Sequence, residues 1–309
     1  MSSTSDTRGH PEPGTSPALP RVTIGLPVYN GDAFLAAAID SLLAQTYRDF
    51  ELIISDNAST DDTERIGRAF AAADPRVRYE RNATNIGLAG NFNRVFRMAR
   101  GELFKWAAAD DVCLPGYLAA CIAVLDAHPD VVLAYGKAEF IDAEDHALAI
   151  TDPGWHLSQE SSVARFRQVM ASGHWVNSLI GVIRSEALAR TGLLPSYPGG
   201  DFILLGELSL QGKLFEVPDV LFRRRLHAGS ISQHGGEPEW LVRYWGNRAA
   251  GARPLWARSR GHLNSILHAD LPLRGKVGLV MSGLNLMRRR RDLYWSELSD
   301  VRDPGRSQP

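Results

Sequence analysis

The sequence predicts an α/β protein with a doubly wound, mainly parallel sheet flanked by helices. β-branched runs alternate with amphipathic helical segments over residues 21–112, and such alternation forms right-handed crossovers between parallel strands. The 309-residue chain is 44% hydrophobic, which is enough for a sizeable core. Ligands of such sheets bind outside the carboxyl ends of the strands, so we expect the loops after the strands to meet at one crevice.

The first half of the chain contains four predicted strands and three predicted helices. The run from Val22 to Leu26 is rich in β-branched residues and ends at Pro27, as expected for a strand that leads into a loop. Further apolar runs predict strands at 51–55, 76–80 and 103–109. Apolar residues at helical spacing predict helices within 31–46, 61–73 and 85–99.

The second half is less regular. The pattern predicts a helix at 116–127, a strand at 131–141, a loop region at 142–160, a helix at 161–171 and a strand at 177–184. Short helices at 186–191 and 201–211 precede a pair of strands within 214–227. From about residue 237 the chain becomes helical and basic, and Pro254 and Pro272 are expected to break the helices.

Composition narrows the function classes. The 34 Lys and Arg balance the 35 Asp and Glu, so no overall field favours nucleic acid. Cys113 and Cys121 have no partners at metal-ligand spacing and indicate reduced thiols, as in cytoplasmic proteins. Residues 1–20 read as a disordered leader without the apolar segment of a signal peptide, and no apolar run is long enough to span a bilayer.

The segment 276–291 combines an apolar stripe with four terminal arginines. Two interpretations stay open. The segment is either a helix packed on its own domain with a solvated basic end, or a peripheral contact with the anionic inner face of a membrane.

Polar residues follow the second predicted strand in the segment SDNASTDDT. Asp56, Asn57 and Ser59 are suited to turning the chain and capping the next helix. Asp56 lies at the strand end itself, where a carboxylate is also a natural acceptor for a nucleobase N–H or a ribose hydroxyl. We expect both roles.

The adjacent carboxylates of Asp110 and Asp111 follow the fourth predicted strand. A divalent cation, Mg²⁺ or Mn²⁺, would cancel their repulsion and bind the phosphates of a nucleoside diphosphate on its other side. The alternative is a plain surface turn. No G-x-x-x-x-G-K-[ST] or G-x-G-x-x-G motif is present, which argues against a kinase, an NTPase or an ordinary dinucleotide enzyme.

Four segments together resemble the family 2 glycosyltransferases, which have the GT-A fold and use nucleotide sugars: VTIGLPVYN, ELIISDNASTDDT, NIGLAGNFNRVF and ADDVCLPGYL. The resemblance covers residues 21–235 and implies a nucleotide-sugar-binding half at 21–112 and an acceptor-binding half at 113–235. Residues 236–309 form a helical, basic extension beyond it.

The resemblance implies roles for individual residues of the donor site. Pro27, Val28 and Tyr29 resemble the nucleoside-binding loop, and Asp56 the acceptor for a uracil or thymine edge. The family's segment that lies beside the donor resembles the segment with Asn85, Gly87 and Asn93. Asp110 and Asp111 occupy the place of the family's DXD motif, with Asp111 as the metal ligand and Asp110 nearer the sugar or ribose. Many members have an earlier aspartate where this chain has Ala108.

The resemblance also extends to the segment from Tyr197 to Ser232. It implies that Asp201 is the general base, with Glu207 as a fallback that more simply faces water from a buried helix. Arg225 is expected to steady the β-phosphate, and His227 to contact the metal or the diphosphate. An aromatic ring beside polar groups suits a sugar, so His174, Trp175 and Asn177 are candidates for an acceptor pocket, although core packing explains Trp175 equally well.

The predicted function is an inverting transfer of a sugar from a UDP- or dTDP-linked donor to a hydroxyl of a saccharide or lipid-linked acceptor. One alternative is a nucleotide-sugar-binding protein without turnover, which the alanine at position 108 favours. A nucleotidyltransferase ranks lowest, because PVYNGDAF lacks the basic, Gly-rich loop that such enzymes need.

Overall fold

The computed structural model describes residues 19–151, 154–172, 177–230 and 253–299, which form an α/β fold around a nine-stranded sheet. The strands are β1 Val22–Val28, β2 Phe50–Asp56, β3 Val77–Arg81, β4 Leu103–Trp106, β5 Val112–Cys113, β6 Val131–Ile141, β7 Ala147–Thr151, β8 Val182–Arg184 and β9 Lys213–Arg225. The α-helices are α1 Asp32–Leu43, α2 Thr63–Ala73, α3 Leu88–Arg97, α4 Tyr117–Ala127, α5 Ser162–Ala171, α6 Ser185–Ala189, α7 Gly200–Gln211, α8 Pro254–His268, α9 Leu273–Arg289 and α10 Arg291–Ser299.

The first half of the sheet has the predicted parallel arrangement. Its strand order is β3-β2-β1-β4, and each neighbouring pair is parallel. Every residue of β1, β2 and β4 is buried, because helices cover the two faces of the sheet. The predicted α/β class is thereby confirmed, and the carboxyl ends of β1, β2 and β4 meet at one edge.

The second half of the sheet is mixed. The order continues β4-β8-β6-β9-β5, with β7 paired to β6. The pairs of β8 with β4 and with β6 are antiparallel, as are β5 with β9 and β7 with β6, whereas β6 and β9 are parallel. Parallel pairing therefore dominates only in the nucleotide-binding half that the sequence predicted.

Three predicted elements of this second half need correction. The loop region at 142–160 contains β7, which returns along β6 as a hairpin. The strand predicted at 177–184 begins as the 3₁₀ helix Asn177–Ile180. The strand pair predicted within 214–227 is the single strand β9, in which the register with β6 shifts around Pro218. Proline has no N–H to donate, so a bulge there lets one strand continue where the sequence suggested a turn.

The C-terminal helices pack on α5. Phe166 and Met170 of α5 form a buried cluster with Ile266 of α8 and Leu279 of α9. The predicted breaks are confirmed, because Pro254 opens α8 and Pro272 precedes α9. Within the described residues no helix combines the length and the apolar character needed to cross a membrane. Residues 1–18 of the predicted leader and the predicted boundary at 235 lie outside the described residues.

Candidate active site

A cavity of about 260 Å³ lies at the carboxyl ends of the parallel strands. The loops after β1, β2 and β4 contribute to its walls, together with α3 and the segment that follows β9. The lining residues are Pro27, Val28, Tyr29, Asn30, Gly31, Ala33, Phe34, Asn57, Asn85, Leu88, Asn91, Phe92, Ala108, Ala109, Asp110, His227 and Gly229. Seven of the predicted site residues are thus brought together in one place.

Hydrogen bonds join the loops that follow β1 and β2. The backbone N–H of Asn30 donates to Ser59 Oγ at 2.9 Å, and Asn30 Oδ1 accepts from the N–H of Thr60 at 2.8 Å. Asn30 has a φ of 49°, a left-handed conformation that asparagine tolerates better than most residues. Ser59 is buried and supports the first loop rather than lining the cavity.

The side chain of Asn57 ties a third loop to this pair. Its Nδ2 donates to Asn85 Oδ1 at 2.8 Å and to the carbonyl of Gly87 at 3.3 Å. Its Oδ1 accepts from the N–H of Ile86 at 2.9 Å and from Asn82 Nδ2 at 2.9 Å. Asn57 and Asn85 both line the cavity, and the hydrogen bond between them holds their side chains in place. Gly87 is the N-cap of α3, with a φ of 78°.

Two asparagines of α3 have different partners. Asn91 lines the cavity, and its Oδ1 accepts from Ser55 Oγ at 2.7 Å. Asn93, the residue predicted to lie beside the donor, instead accepts from the N–H of Leu194 at 3.0 Å and donates to its carbonyl at 2.8 Å. Asn91 was not predicted as a site residue. Its position two residues before Asn93, in the same segment, is the sequence feature that could have indicated it.

Asp56 is fully buried at the end of β2. Its Oδ1 accepts from the N–H of Ser59 at 2.8 Å, and its Oδ2 accepts from the hydroxyl of Tyr79 and from the guanidinium of Arg81. Burial and this carboxylate raise the pKa of Tyr79. Asp56 is not among the residues that line the cavity, and reading of a nucleobase edge stays a prediction for it.

The two aspartates after β4 face different surroundings. Asp110 lines the cavity, and its Oδ2 lies 3.1 Å from Nε2 of His227. Asp111 Oδ1 accepts the backbone N–H of Arg225 at 2.9 Å. Burial and the neighbouring charge of Asp110 raise the pKa of Asp111 to about 8. Asp110, Asp111 and His227 are ligand types that suit a divalent cation, although their ligand atoms do not all lie within 4.8 Å of one another.

Arg225 lies behind these aspartates and is buried. Its Nε donates to the carbonyl of Asp110 at 3.0 Å, and Nη1 donates to the carbonyl of Asp142 at 3.1 Å. Nη2 donates to Asp145 Oδ1 at 2.6 Å, and the guanidinium lies 4.7 Å from the ring centre of Phe34. The predicted phosphate contact is therefore corrected, because all three guanidinium nitrogens are bound within the protein and hold the aspartate loop in place.

Phe34 of α1 lines the cavity, although it is one of the apolar residues at helical spacing in this segment. Its ring centre lies 4.7 Å from that of His227. The aromatic ring thus contacts both the imidazole of His227 and the guanidinium of Arg225. No local sequence signal distinguishes such a ring from an ordinary core phenylalanine.

Lys105 is a buried cation beneath the aspartate loop. Its Nζ donates to the carbonyls of Ile180 and Trp106, and lies 4.3 Å from the ring centre of Tyr117. Its charge lowers the pKa of Asp111, against the larger effect of burial. This lysine was not predicted as part of the site, because it lies within an apolar strand and no adjacent acid in the sequence suggests an ion pair.

Asp201 lies in the first turn of α7, which Gly199 caps with a φ of 84°. Burial raises the pKa of its carboxyl, while the charges of Arg258 and Arg224 lower it. The charge of Arg224 also lowers the pKa of Asp111, so one arginine acts electrostatically on Asp201 and on the aspartate loop. A half-buried carboxyl with a raised pKa is suited to accept a proton.

Glu207 has a structural setting. Its Oε2 accepts the N–H of Gly192 at 2.7 Å, and its Oε1 accepts from Ser265 Oγ at 2.8 Å. The expectation that it faces water is therefore wrong, since the carboxylate joins α7 to α8 and to the loop before α7.

The predicted acceptor residues are described only in part. Asn177 is buried, and its Oδ1 accepts from Arg224 Nη1 at 2.8 Å. His174 and Trp175 lie outside the described residues.

A second group of metal-capable side chains lies in the turn between β6 and β7. Among the described residues, Asp142, Glu144 and His146 are the set of three whose ligand atoms all lie within 4.8 Å of one another. This turn is separate from the predicted pair Asp110 and Asp111. The two are linked through Arg225, which donates a hydrogen bond to the carbonyl of Asp142. Exposed acidic clusters of this kind are common without an ion.

Comparison with known proteins identifies the family. The sequence model of glycosyl transferase family 2 matches residues 23–169, which include the cavity loops and both aspartates. Residues 23–169 of the chain belong to glycosyl transferase family 2. Over 216 residues, 69% of this chain, it is 29% identical to an uncharacterized glycosyltransferase of Rickettsia prowazekii. The alignment spans 66% of that relative's length.

Solved structures with the GT-A fold are similar to this chain. The chain is similar to residues 1–349 of TarS from S. aureus in complex with UDP-GlcNAc, with a TM-score of 0.66, 17% identity, and coverage of 92% of this chain and 81% of that chain. It is also similar to the mannosyltransferase PcManGT from Pyrobaculum calidifontis in complex with GDP-Man and Mn²⁺, with a TM-score of 0.53, 18% identity, and coverage of 93% and 87%. The GT-A-like fold predicted from the sequence is thereby confirmed.

Proposed function

We propose that this chain is a glycosyltransferase that moves a sugar from a nucleoside diphosphate sugar to an acceptor hydroxyl, with inversion at the anomeric carbon. The observation that carries the proposal is the cavity that holds Asp110 and His227 at the carboxyl ends of the parallel strands. The complexes of TarS with UDP-GlcNAc and of PcManGT with GDP-Man support a nucleotide sugar as the donor.

The donor would lie across the three loops that line the cavity. Pro27, Val28 and Tyr29 would form the wall against the nucleoside, and Asn57 and Asn85 line the same cavity. We keep Asp56 as the acceptor for a uracil or thymine N–H, with Ser59, Gly87 and Asn93 as supporting residues. Arg225 acts by positioning Asp110 and Asp111, because its guanidinium is bound within the protein.

Asp111 and His227 would hold a divalent cation, Mg²⁺ or Mn²⁺, with Asp110 beside it. Such an ion supplies Lewis-acid stabilisation to a departing diphosphate. The raised pKa of Asp111 and the 3.1 Å contact between Asp110 and His227 support this donor set. Ala108 also lines the cavity and supplies only a methyl group there, so Asp110 would make the sugar or ribose contact without the earlier acid that the family resemblance leads one to expect.

Asp201 would take the proton of the acceptor hydroxyl as that oxygen attacks the anomeric carbon. The acceptor is a saccharide or a lipid-linked saccharide, with His174, Trp175 and Asn177 as candidate contacts. A peripheral membrane contact through the basic C-terminal helices would be consistent with a lipid-linked acceptor, and the eight arginines and one lysine at 253–299 against three acids support it.

Metal-dependent binding of a nucleotide tests the proposal directly. In a thermal-shift panel of UDP-, dTDP- and GDP-linked sugars, we expect one nucleotide class to raise the Tm only when Mn²⁺ or Mg²⁺ is present. At a ligand concentration of about 100 Kd the stabilisation is about 2.7 kcal/mol. EDTA should remove the shift. A shift that persists in EDTA, or no shift with any nucleotide, would contradict the proposed donor site.

The pH dependence of transfer reports on Asp201. Burial raises the pKa of this carboxyl above its ordinary value of 3.8, and only the carboxylate accepts a proton. We therefore expect kcat/KM, measured at saturating metal, to fall as the pH decreases through a value above 3.8. The rate should be recorded with donor binding at each pH, because protonation of Asp111 would weaken donor binding, whereas protonation of Asp201 would not.

A further inference from the structure

A second cavity, of about 290 Å³, lies between the C-terminal helices and α5, away from the donor site. Its walls are mainly apolar side chains, among them Met170, Trp256, Ile266, Leu279 and Met287. The packed interiors of proteins leave few spaces of this size, and cavities with apolar walls and a few polar groups are typical binding sites for small ligands.

One buried polar side chain in this cavity lacks a partner. His262 of α8 is 5% exposed and lines the cavity, and within the described structure neither of its ring nitrogens has a hydrogen-bond partner. Burial and the charge of Arg258 lower the pKa of the imidazole to about 3, so the ring is neutral and offers one donor and one acceptor. Buried polar groups are nearly always hydrogen-bonded, and an unsatisfied imidazole therefore indicates a ligand with a polar atom.

Three arginines also line the cavity, namely Arg258, Arg260 and Arg290, and no acid is among the lining residues. Arg258 and Arg290 are close enough that the charge of one lowers the pKa of the other. Both guanidinium groups donate to backbone carbonyls at the end of α5, which holds them in place without neutralising them. The excess of positive charge among the lining residues favours an anionic group on the ligand.

Arg258 connects this cavity with the proposed base. Its guanidinium lies 4.1 Å from the ring centre of Phe202, the neighbour of Asp201 in α7. The charge of Arg258 also acts on the carboxyl of Asp201. A ligand whose anionic end lies at Arg258 would therefore have that end directed towards the acceptor side of the active site, and its chain between α8 and α9.

We propose that this cavity binds a lipid monophosphate, with the apolar chain between α8 and α9, the phosphate at Arg258 and Arg290, and a polar atom at His262. The site itself is independent of the donor cavity. Its role as the holder of a lipid-linked acceptor rests on the proposed glycosyl transfer.

Two glycines of α9 provide a matched pair of variants. A Cβ on either Gly283 or Gly278 would meet no heavy atom within 4 Å, but Gly283 lines the cavity and Gly278 does not. Leucine is a better helix former than glycine at both positions, so both variants should fold. Gly283→Leu places a side chain in the proposed site of the lipid chain, whereas Gly278→Leu leaves that space unchanged.

The test is isothermal titration calorimetry of the full chain with farnesyl monophosphate below its aggregation concentration. We expect binding that is weakened about tenfold or more by Gly283→Leu and unchanged by Gly278→Leu. Farnesol should bind about tenfold more weakly than farnesyl monophosphate, and inorganic phosphate should not bind detectably. Arg290→Gln should reduce the preference for the phosphate over the alcohol.

The outcomes separate this inference from the proposed function. If farnesyl monophosphate fails to bind, or binds both glycine variants equally, the lipid site is wrong even where nucleotide binding persists. If farnesol binds as tightly as farnesyl monophosphate, the proposed contact of the phosphate group with Arg258 and Arg290 is wrong. If lipid binding behaves as expected but no nucleotide sugar stabilises the chain, the acceptor role is lost with the proposed function.

Discussion

Replacing Asp201 with asparagine is expected to abolish sugar transfer while leaving donor binding intact. Asparagine has the same shape but cannot accept the proton of the acceptor hydroxyl, and a general base contributes about 10²–10⁴-fold to a rate. We expect a loss of this size in kcat, measured with saturating donor and metal. The metal-dependent Tm shift produced by the nucleotide should be the same in Asp201→Asn and in the unmodified chain.

Stability distinguishes this catalytic effect from a folding defect. The pKa of Asp201 is raised by burial, so the folded state disfavours its charged form, and the carboxylate costs stability as the pH rises above the ordinary carboxyl value. At neutral pH the uncharged asparagine should leave the free energy of unfolding equal or higher. Urea denaturation at pH 7 and pH 5 measures this difference.

Glu207→Gln is the matched control. The amide oxygen of glutamine can still accept the N–H of Gly192, and its Nε2 can donate to the hydroxyl of Ser265, so residue 207 should stay in place. We expect transfer to continue at close to the original rate. Activity retained by Asp201→Asn, or lost in Glu207→Gln, would move the base to residue 207. Donor hydrolysis by neither variant nor the unmodified chain would instead favour the nucleotide-sugar-binding protein without turnover.

The parallel half of the sheet was predictable because its signals are local. The run from Val22 to Leu26 is mainly apolar and carries no charge, which is typical of a strand covered on both faces, and Pro27 marks its end. The aspartates after β4 are adjacent in sequence, so their shared position at the strand end followed without knowledge of distant contacts. The rule for ligands of α/β sheets then located the cavity.

The features of the site that the sequence did not predict depend on contacts between residues that are far apart in the chain. Arg225 was expected at a phosphate, but its role is set by carbonyls of the turn between β6 and β7, more than 80 residues away in sequence. Lys105 is stabilised by a carbonyl at Ile180 and by the ring of Tyr117, neither of which is near it in the chain. The unpartnered state of His262 is likewise a property of the packing and has no sequence pattern.

The mixed half of the sheet shows a second reason why a strand can be predicted wrongly from its sequence. Pro218 within an apolar run is normally evidence against a central strand. In β9 the proline sits at a shift in register with β6, so the strand continues on both sides. Pairing between two strands decides whether a proline ends a strand or occupies a bulge, and that pairing is not visible in either segment by itself.

Replacing Asp111 with asparagine is expected to remove metal-dependent nucleotide binding and, with it, transfer. The amide oxygen can still accept the N–H of Arg225, and loss of the charge relieves the repulsion by Asp110, so the variant should be no less stable than the unmodified chain without metal. We expect affinity for the nucleotide in the presence of Mn²⁺ to fall about 100-fold, because the ion loses a charged ligand. Calorimetry with and without Mn²⁺ measures this loss.

The alternative metal-capable cluster provides the control for Asp111→Asn. Glu144→Gln alters the exposed group formed with Asp142 and His146 but no residue of the cavity, so it should leave the metal dependence unchanged. In the unmodified chain, Mn²⁺ affinity should increase as the pH rises towards 8, because burial and Asp110 raise the pKa of Asp111 to about 8 and protons compete with the ion below it. If Glu144→Gln removed the metal dependence and Asp111→Asn preserved it, the ion would bind at the turn between β6 and β7, and the charge of the leaving diphosphate would have to be neutralised by other cations of the chain.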